Sequence, residues 1–237
     1  MAVAVVAALG FTAACGGSDD KGGESKKSPT KESTQGTDGA KNGGASKAAA
    51  PLTKAELDKA ALADGEVDKY KVEKTPASDL LLASVPASPA ACQPIADMFL
   101  FSTDPTASAG AGRTLNAENA LDASVTSLAL FSYASGGAEE VLSGLRTATG
   151  KCTAYEHTGY KYEDVKALKD PGLGDESVSY RLLATIEGAA VPATYTVVRV
   201  GSVVVSFSSM DMLEKDVVEI PKKIIDAQLA KVKKATA

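Results

Sequence analysis

Residues 16–50 contain almost no side chain that could join a hydrophobic core. They are mainly Gly, Ser, Lys, Thr, Asp and Ala. Such a composition cannot bury enough apolar surface to offset the entropy that folding removes. We therefore predict a disordered tether that, as a flexible coil, has a root-mean-square reach of about 30–35 Å. Folded structure must then come from residues 51–237.

The first 14 residues, MAVAVVAALGFTAA, are apolar and uncharged. They are too few for a membrane span, which needs about 20 apolar residues, and they end in small residues as a signal peptide does. A positively charged n-region is missing, so we expect a translation start further upstream or a trimmed chain.

Residues 11–17, FTAACGG, resemble a bacterial lipobox, although Thr12 stands where Leu is usual. Small residues precede Cys15 and glycines follow it, which is the pattern of a cysteine that carries a lipid. We therefore predict a signal peptide over 1–14, and a lipid-modified Cys15 with its tether over 15–50. An ordinary secretory signal with an incidental cysteine is the alternative.

The two remaining cysteines, Cys92 and Cys152, lie deep within the predicted folded part. An exported protein in an oxidising compartment rarely keeps two free thiols. We therefore predict one disulfide between them. Two separately buried thiols are the alternative.

Helices and strands follow one another in an order that indicates the fold class. Thr53 and Glu56 have the spacing of a capping box, which predicts a short helix over 54–63. Further helices are predicted over 95–101, 139–148 and 217–234, and strands over 70–74, 125–133, 152–158, 178–186, 194–200 and 203–208. Gly201-Ser202 indicates a hairpin between the last two strands. This order predicts an α+β fold, with helices covering an antiparallel sheet.

The charge and aromatic content limit the class of partner. The whole chain has a formal net charge of −5, and residues 16–50 hold six Lys against five acidic residues, which leaves about −6 for the folded part. An acidic domain argues against a nucleic-acid partner. The expected partners are a membrane, through the lipid anchor, and an unknown small ligand or a cell-envelope protein.

No pattern in the sequence indicates a catalytic or metal site, so we expect no enzyme, no cofactor and no bound metal. The only histidine, His157, is expected to be a partly exposed strand residue, and two distant cysteines make a poor zinc set. Residues 109–114, AGAGRT, lack the Lys and the spacing of a phosphate loop, so a turn is predicted there. The paired carboxylates suit a helix N-terminus or solvated loops: Glu139 with Glu140, Glu163 with Asp164, and Asp175 with Glu176.

Several short motifs resemble a known family. They are LTKAEL at 52–57, Cys92 after a proline-rich stretch, the EEVL helix that leads to GKC at 150–152, and the hairpin TVVRVGSVVV at 196–205. Their layout is similar to actinobacterial lipoproteins whose soluble part resembles the extracellular sensor domain of mycobacterial PknH-type serine/threonine kinases. The resemblance covers about residues 52–234 and implies an α+β domain with a ligand-binding cleft. Those kinase domains carry two disulfides and often a Trp, whereas this chain can form one disulfide and has no Trp.

The sequence favours a non-catalytic ligand-binding or sensor-like lipoprotein on the outer face of the cell membrane. A cell-envelope interaction or structural module is the main alternative, and a lipid carrier is another. Arg199 interrupts an apolar strand and is expected to point to solvent. It is the cationic candidate for ligand binding if a cleft faces it.

Overall fold

The computed structural model describes residues 50–80, 83–119, 123–213 and 218–237. The predicted signal peptide, Cys15 and the predicted tether up to residue 49 lie outside these residues. None of the helices in the described ranges combines the length and the hydropathy that a membrane crossing requires.

The described chain forms four α-helices and one eight-stranded sheet. The helices are α1 (Lys54–Ala60), α2 (Gln93–Phe99), α3 (Gly137–Thr149) and α4 (Lys222–Thr236). The strands are β1 (Tyr70–Lys74), β2 (Ala109–Ala117), β3 (Ser124–Ser132), β4 (Tyr155–His157), β5 (Tyr160–Ala167), β6 (Glu176–Ile186), β7 (Ala189–Val200) and β8 (Val203–Asp211). Neighbouring strands are all antiparallel, in the order β1-β2-β3-β8-β7-β6-β5-β4. The predicted antiparallel sheet covered by helices is confirmed.

Each face of the sheet carries its own hydrophobic core. On one face α2 and α3 pack over side chains such as Phe131, Tyr180 and Val197. The disulfide between Cys92 and Cys152 lies in this core, with an S–S distance of 2.07 Å, which confirms the predicted pair. We call this side the disulfide face.

Helices α1 and α4 cover part of the opposite side, which we call the α1–α4 face. Its core includes Leu57, Leu128, Val205 and Leu229. The side chains alternate between the two faces along each strand, as β-geometry requires. Successive residues of one strand therefore belong to different cores.

Helix α1 begins at its predicted capping box and ends earlier than predicted. Thr53 and Glu56 exchange the reciprocal side-chain and backbone bonds of that motif. At the other end, the buried Gln228 side chain of α4 accepts the Leu62 N–H at 2.9 Å and donates to the Ala60 carbonyl at 2.8 Å. Because Gln228 takes these backbone groups, the helix stops at Ala60 instead of residue 63.

Two strands replace predicted turns or loops. Residues 109–114 belong to β2, so the predicted turn is wrong. Glycine serves close packing here, because a Cβ on Gly112 would lie 2.8 Å from the Thr75 Cβ. Glu163 and Asp164, predicted to lie in a polar loop, belong to β5, whose register shifts between Glu163 and Lys166.

Strand β4 begins later than the predicted strand over 152–158. The Cys152 N–H bonds to the Ala148 carbonyl at 2.8 Å, in the turn that follows α3, and Cys152 is also tied to Cys92. Regular pairing therefore starts only at Tyr155.

Candidate functional site

The α1–α4 face changes from apolar to polar along its strands. Helix α1 contacts β2 and β3, and α4 contacts β7 and β8. The core beneath α4 includes Val198, Val200 and Val203, next to the β7–β8 hairpin. Toward the other end of β7 and β8, the same side of the sheet carries Ser and Thr instead.

Three of these side chains form a row across neighbouring strands. Thr126 of β3 lies opposite Ser209 of β8, and Ser209 lies opposite Thr194 of β7. All three residues are buried, and their hydroxyl oxygens have no hydrogen-bond partner within the described part of the chain. Leaving a buried hydroxyl unpaired costs about 1–3 kcal/mol. We call Thr126, Ser209 and Thr194 the hydroxyl row.

The hydroxyls one step closer to the hairpin are paired. Thr196 and Ser179, which lie opposite each other on β7 and β6, share a hydrogen bond of 2.8 Å. The Ser177 hydroxyl donates to the Asp170 carboxylate and accepts from the Leu173 N–H at 3.1 Å. Ser and Thr on this face can therefore be satisfied. Ser132 of β3, opposite Val203, is a further buried hydroxyl without a partner in the described chain, but it is isolated, whereas the three hydroxyls of the row lie on consecutive strands.

Two cationic residues extend the row across the next two strands, and they are more exposed than the hydroxyls. Arg181 of β6 lies opposite Thr194, and Lys166 of β5 lies opposite Arg181. Exposure rises from 0% at Ser209 to 6% at Thr194, and to 27% and 56% for the side chains of Arg181 and Lys166. We call Arg181 and Lys166 the open end of the row.

One carboxylate lies between the two cations of the open end. Asp164 receives Arg181 Nη2 at 2.9 Å on one oxygen and Lys166 Nζ at 2.5 Å on the other. The hydrogen bond from Lys166, with a smaller effect of the Arg181 charge, lowers the pKa of Asp164 below its usual value. Arg181 and Lys166 therefore share this one ionised carboxylate, and Glu163, opposite Leu183 on the same face, adds a second acidic group nearby.

Arg199 lies on the disulfide face, away from the hydroxyl row. Its side chain is only 15% exposed, so the prediction that it points to solvent is wrong. It contacts Glu139 at 3.3 Å, Asp175 at 3.4 Å and Glu176 at 3.0 Å. Asp175 is exposed, as predicted, whereas Glu176 belongs to β6 instead of a loop, and together with Glu139 they tie this arginine to the start of α3.

His157 is buried, contrary to the expectation of partial exposure. Its Nε2 lies 3.0 Å from the Val85 carbonyl, and its Nδ1 has no partner among the described residues. In the same residues, no group of three or more His, Cys, Asp or Glu side chains has an arrangement that could hold a metal ion.

Open clefts, including two with charged linings, also lie elsewhere on the described surface. A cleft of about 600 Å³ separates α1 from α4, and a cleft of about 380 Å³ lies beside the β4–β5 hairpin. The first is lined by Lys231, whose ammonium already contacts Glu66 at 2.6 Å. The second is lined by Glu156 and Lys161, which form an exposed ion pair at 3.9 Å. In both clefts the charged groups named here already have partners.

Solved structures similar to the chain include two from mycobacteria. One is the extracellular domain of PknH from Mycobacterium tuberculosis, with a TM-score of 0.48 and 14% identity, over 78% of this chain and 97% of that one. The other is an uncharacterised protein from Mycobacterium smegmatis, with a TM-score of 0.38 and 13% identity, over 71% of this chain and 87% of that one. No family model and no curated protein matches the chain. At these identities the similarities assign no ligand and no activity.

Proposed function

We propose that this chain is a membrane-anchored extracytoplasmic lipoprotein whose α+β domain is a non-catalytic, sensor-like ligand-binding module. The hydroxyl row carries the proposal. Buried polar groups in folded proteins nearly always have hydrogen-bond partners, yet Thr126, Ser209 and Thr194 have none in the described chain. Three such groups in direct register are the arrangement of a site whose partners arrive with a ligand.

The row suits binding better than nucleophilic catalysis. A Ser or Thr hydroxyl becomes a nucleophile when a base accepts its proton through a hydrogen bond. No such bond reaches the three hydroxyls from the described residues. A hydroxyl without a base acts only as a donor and acceptor, which is what ligand recognition requires.

A lipid on Cys15 would anchor this domain at the outer face of the membrane. The proposal rests on the lipobox-like FTAACGG and the polar segment that follows it. The disulfide supports an oxidising compartment, because such bonds rarely persist in a reducing cytosol. Metabolic labelling with a fatty-acid analogue tests the anchor, since Cys15→Ala should lose the label and leave the membrane fraction. Equal labelling of both proteins would exclude the anchor.

Native mass spectrometry of the protein purified from its own host tests ligand binding. We expect a bound small molecule in the wild type and its loss in the triple variant Thr126→Val, Ser209→Ala, Thr194→Val. The matched control is Thr196→Val with Ser179→Ala, which removes a paired set of hydroxyls on the same face. A ligand that both variants retain would place binding away from the hydroxyl row.

A cell-envelope interaction module is the second candidate. Val125, Met212 and Leu213 are exposed, and they lie at the same end of the sheet, beside the paired residues Ser124 and Asp211. Exposed apolar side chains that cluster in this way often mark a protein contact. Crosslinking in intact cells distinguishes the candidates: Leu213→Asp should abolish a protein adduct if this surface is the functional one.

A further inference from the structure

We propose that the ligand of the hydroxyl row is a short polyhydroxylated chain with a carboxylate or phosphate group, and that Arg181 and Lys166 bind this anionic group. The inference rests on the proposed function and specifies the chemistry of its ligand. It follows from the spacing of the hydroxyls, the N–H donors at the open end and the direction in which the row becomes accessible.

The hydroxyl spacing favours a ligand that carries hydroxyls of its own. Neighbouring strands lie about 4.8 Å apart, so Thr126 and Arg181, three strands apart, are separated by about 14 Å. Each hydroxyl donates one hydrogen bond and accepts two. A sugar or polyol presents donors and acceptors along its length and can pair with all three. An apolar chain would leave the row unpaired.

A peptide strand is a poorer match to this position. Peptides that extend a sheet pair with the backbone of an edge strand. The hydroxyl row lies on the face of β3, β8 and β7, whose backbones are already paired on both sides. Recognition must therefore come from side chains that point away from the sheet.

The N–H donors at the open end favour an anion. Arg181 and Lys166 share the single carboxylate of Asp164, which takes only Nη2 of the guanidinium and so leaves further donors of both cations for a second anionic group. A guanidinium has five N–H donors in a planar fork that matches carboxylate and phosphate oxygens. Asp164 receives Nη2 and so orients the fork.

The exposure gradient indicates the direction of binding. Lys166 and Arg181 are the accessible members of the row, and Ser209 is completely buried. An anionic group bound at the open end therefore leaves the neutral part of the ligand to extend inward, past Thr194 and toward Ser209. Because buried hydroxyls are neutral, this order also keeps the charge of the ligand near water, where its desolvation costs least.

Isothermal titration of the full-length protein with matched probes tests the inference. The charged probes are gluconate, glucose 6-phosphate and trigalacturonate, and their neutral counterparts are sorbitol, glucose and maltotriose. We expect at least one charged probe to bind about tenfold more tightly than its counterpart, as a charge-assisted hydrogen bond allows. The difference should shrink as salt is added. Comparing the affinities for gluconate and glucose 6-phosphate shows whether the site prefers a carboxylate or a phosphate. Titration with inorganic phosphate alone shows whether the anionic group is sufficient for binding.

Four variants show which residues cause the higher affinity for the charged probes. Arg181→Gln and Lys166→Gln should each remove most of the tenfold difference while leaving the neutral probes unchanged. Asp164→Asn should increase the affinity for charged probes, because it removes the competing carboxylate. The control Arg146→Gln alters an exposed arginine that pairs with Glu176. It should leave the affinities for the charged and the neutral probes unchanged.

Two results would overturn the inference and leave the proposed function intact. One is equal binding of charged and neutral probes, and the other is an unchanged charged-to-neutral ratio in Arg181→Gln. The inference would also be overturned, with the proposed function intact, if the host ligand lacks an acidic group but is lost from the triple hydroxyl variant. Probe binding that survives the loss of all three hydroxyls would instead refute the proposed function.

Discussion

Replacing a hydroxyl of the row by a methyl group should stabilise the ligand-free domain. Thr194→Val keeps the β-branched shape and removes an oxygen that is buried without a partner in the described chain. In the unfolded chain that oxygen bonds to water, so folding bears a desolvation cost of about 1–3 kcal/mol. At the lower end of this range, a gain of about 1 kcal/mol raises the Tm of a domain of this size by about 2–4 °C.

Thr196→Val provides the matched control two residues along the same strand. The Thr196 hydroxyl shares a hydrogen bond of 2.8 Å with Ser179, so its removal leaves a buried Ser179 hydroxyl unpaired. This variant should therefore lose about 1–3 kcal/mol. Two chemically identical substitutions on one strand are expected to have opposite signs.

Urea unfolding of the ligand-free proteins, followed by circular dichroism with the disulfide intact, measures both effects. The quantity to compare is the difference between the urea midpoints of Thr194→Val and Thr196→Val, because errors common to both variants cancel. If Thr194→Val destabilises the domain as much as Thr196→Val does, the row already has partners in the free protein, such as buried waters. The case for a ligand site at the hydroxyl row would then be refuted.

Three further predictions concern stability. Replacing Cys92 and Cys152 together by Ala should lower the free energy of unfolding by about 4 kcal/mol, because their bond closes a loop across a sequence separation of 60. Equal urea midpoints for this variant and the wild type would contradict this. Arg113→Gln should cost about 2–4 kcal/mol, since this buried guanidinium bonds to carbonyl and carboxylate oxygens near the end of α1; an unchanged midpoint would show those bonds to be dispensable. Burial raises the pKa of Tyr162 from 10.0 to about 12, so its contribution to stability is present below about pH 10 and is lost as the pH rises through 12. Tyrosinate absorbance should therefore increase together with loss of circular dichroism, and ionisation of Tyr162 in a domain that stays folded would refute this reasoning.

Local sequence signals predicted the elements that depend on local interactions. The Thr53–Glu56 capping box starts α1 as expected, and the strand predicted over 70–74 is β1. The Gly201-Ser202 turn joins β7 to β8. Strand β2 was missed because glycines usually mark turns, whereas Gly112 permits close packing against Thr75, a contact that no local pattern reveals.

The candidate site depends on contacts that the sequence does not encode locally. Residues 177–182 alternate polar with apolar side chains, so they indicate a polar face. They do not indicate that this face is buried. Thr126 joins Ser209 and Thr194 only because β3 pairs with β8, across most of the domain. For the same reason Arg181 and Arg199, both strand arginines, could not be assigned to their faces before the sheet order was known.

The two hydrogen bonds of Gln228 make the first helix of the domain depend on the last. They join residues separated by 166 and 168 positions, so they form only after almost the whole domain has been synthesised. Until α4 arrives, the strands beneath it and the side of α1 that faces it remain in contact with water. Contacts between distant positions form late and prolong the exposure of apolar surface during folding. In a chain cut short before α4, the Leu62 N–H and the Ala60 carbonyl lose these partners, and the core that α1 shares with α4 is left open on the side of α4.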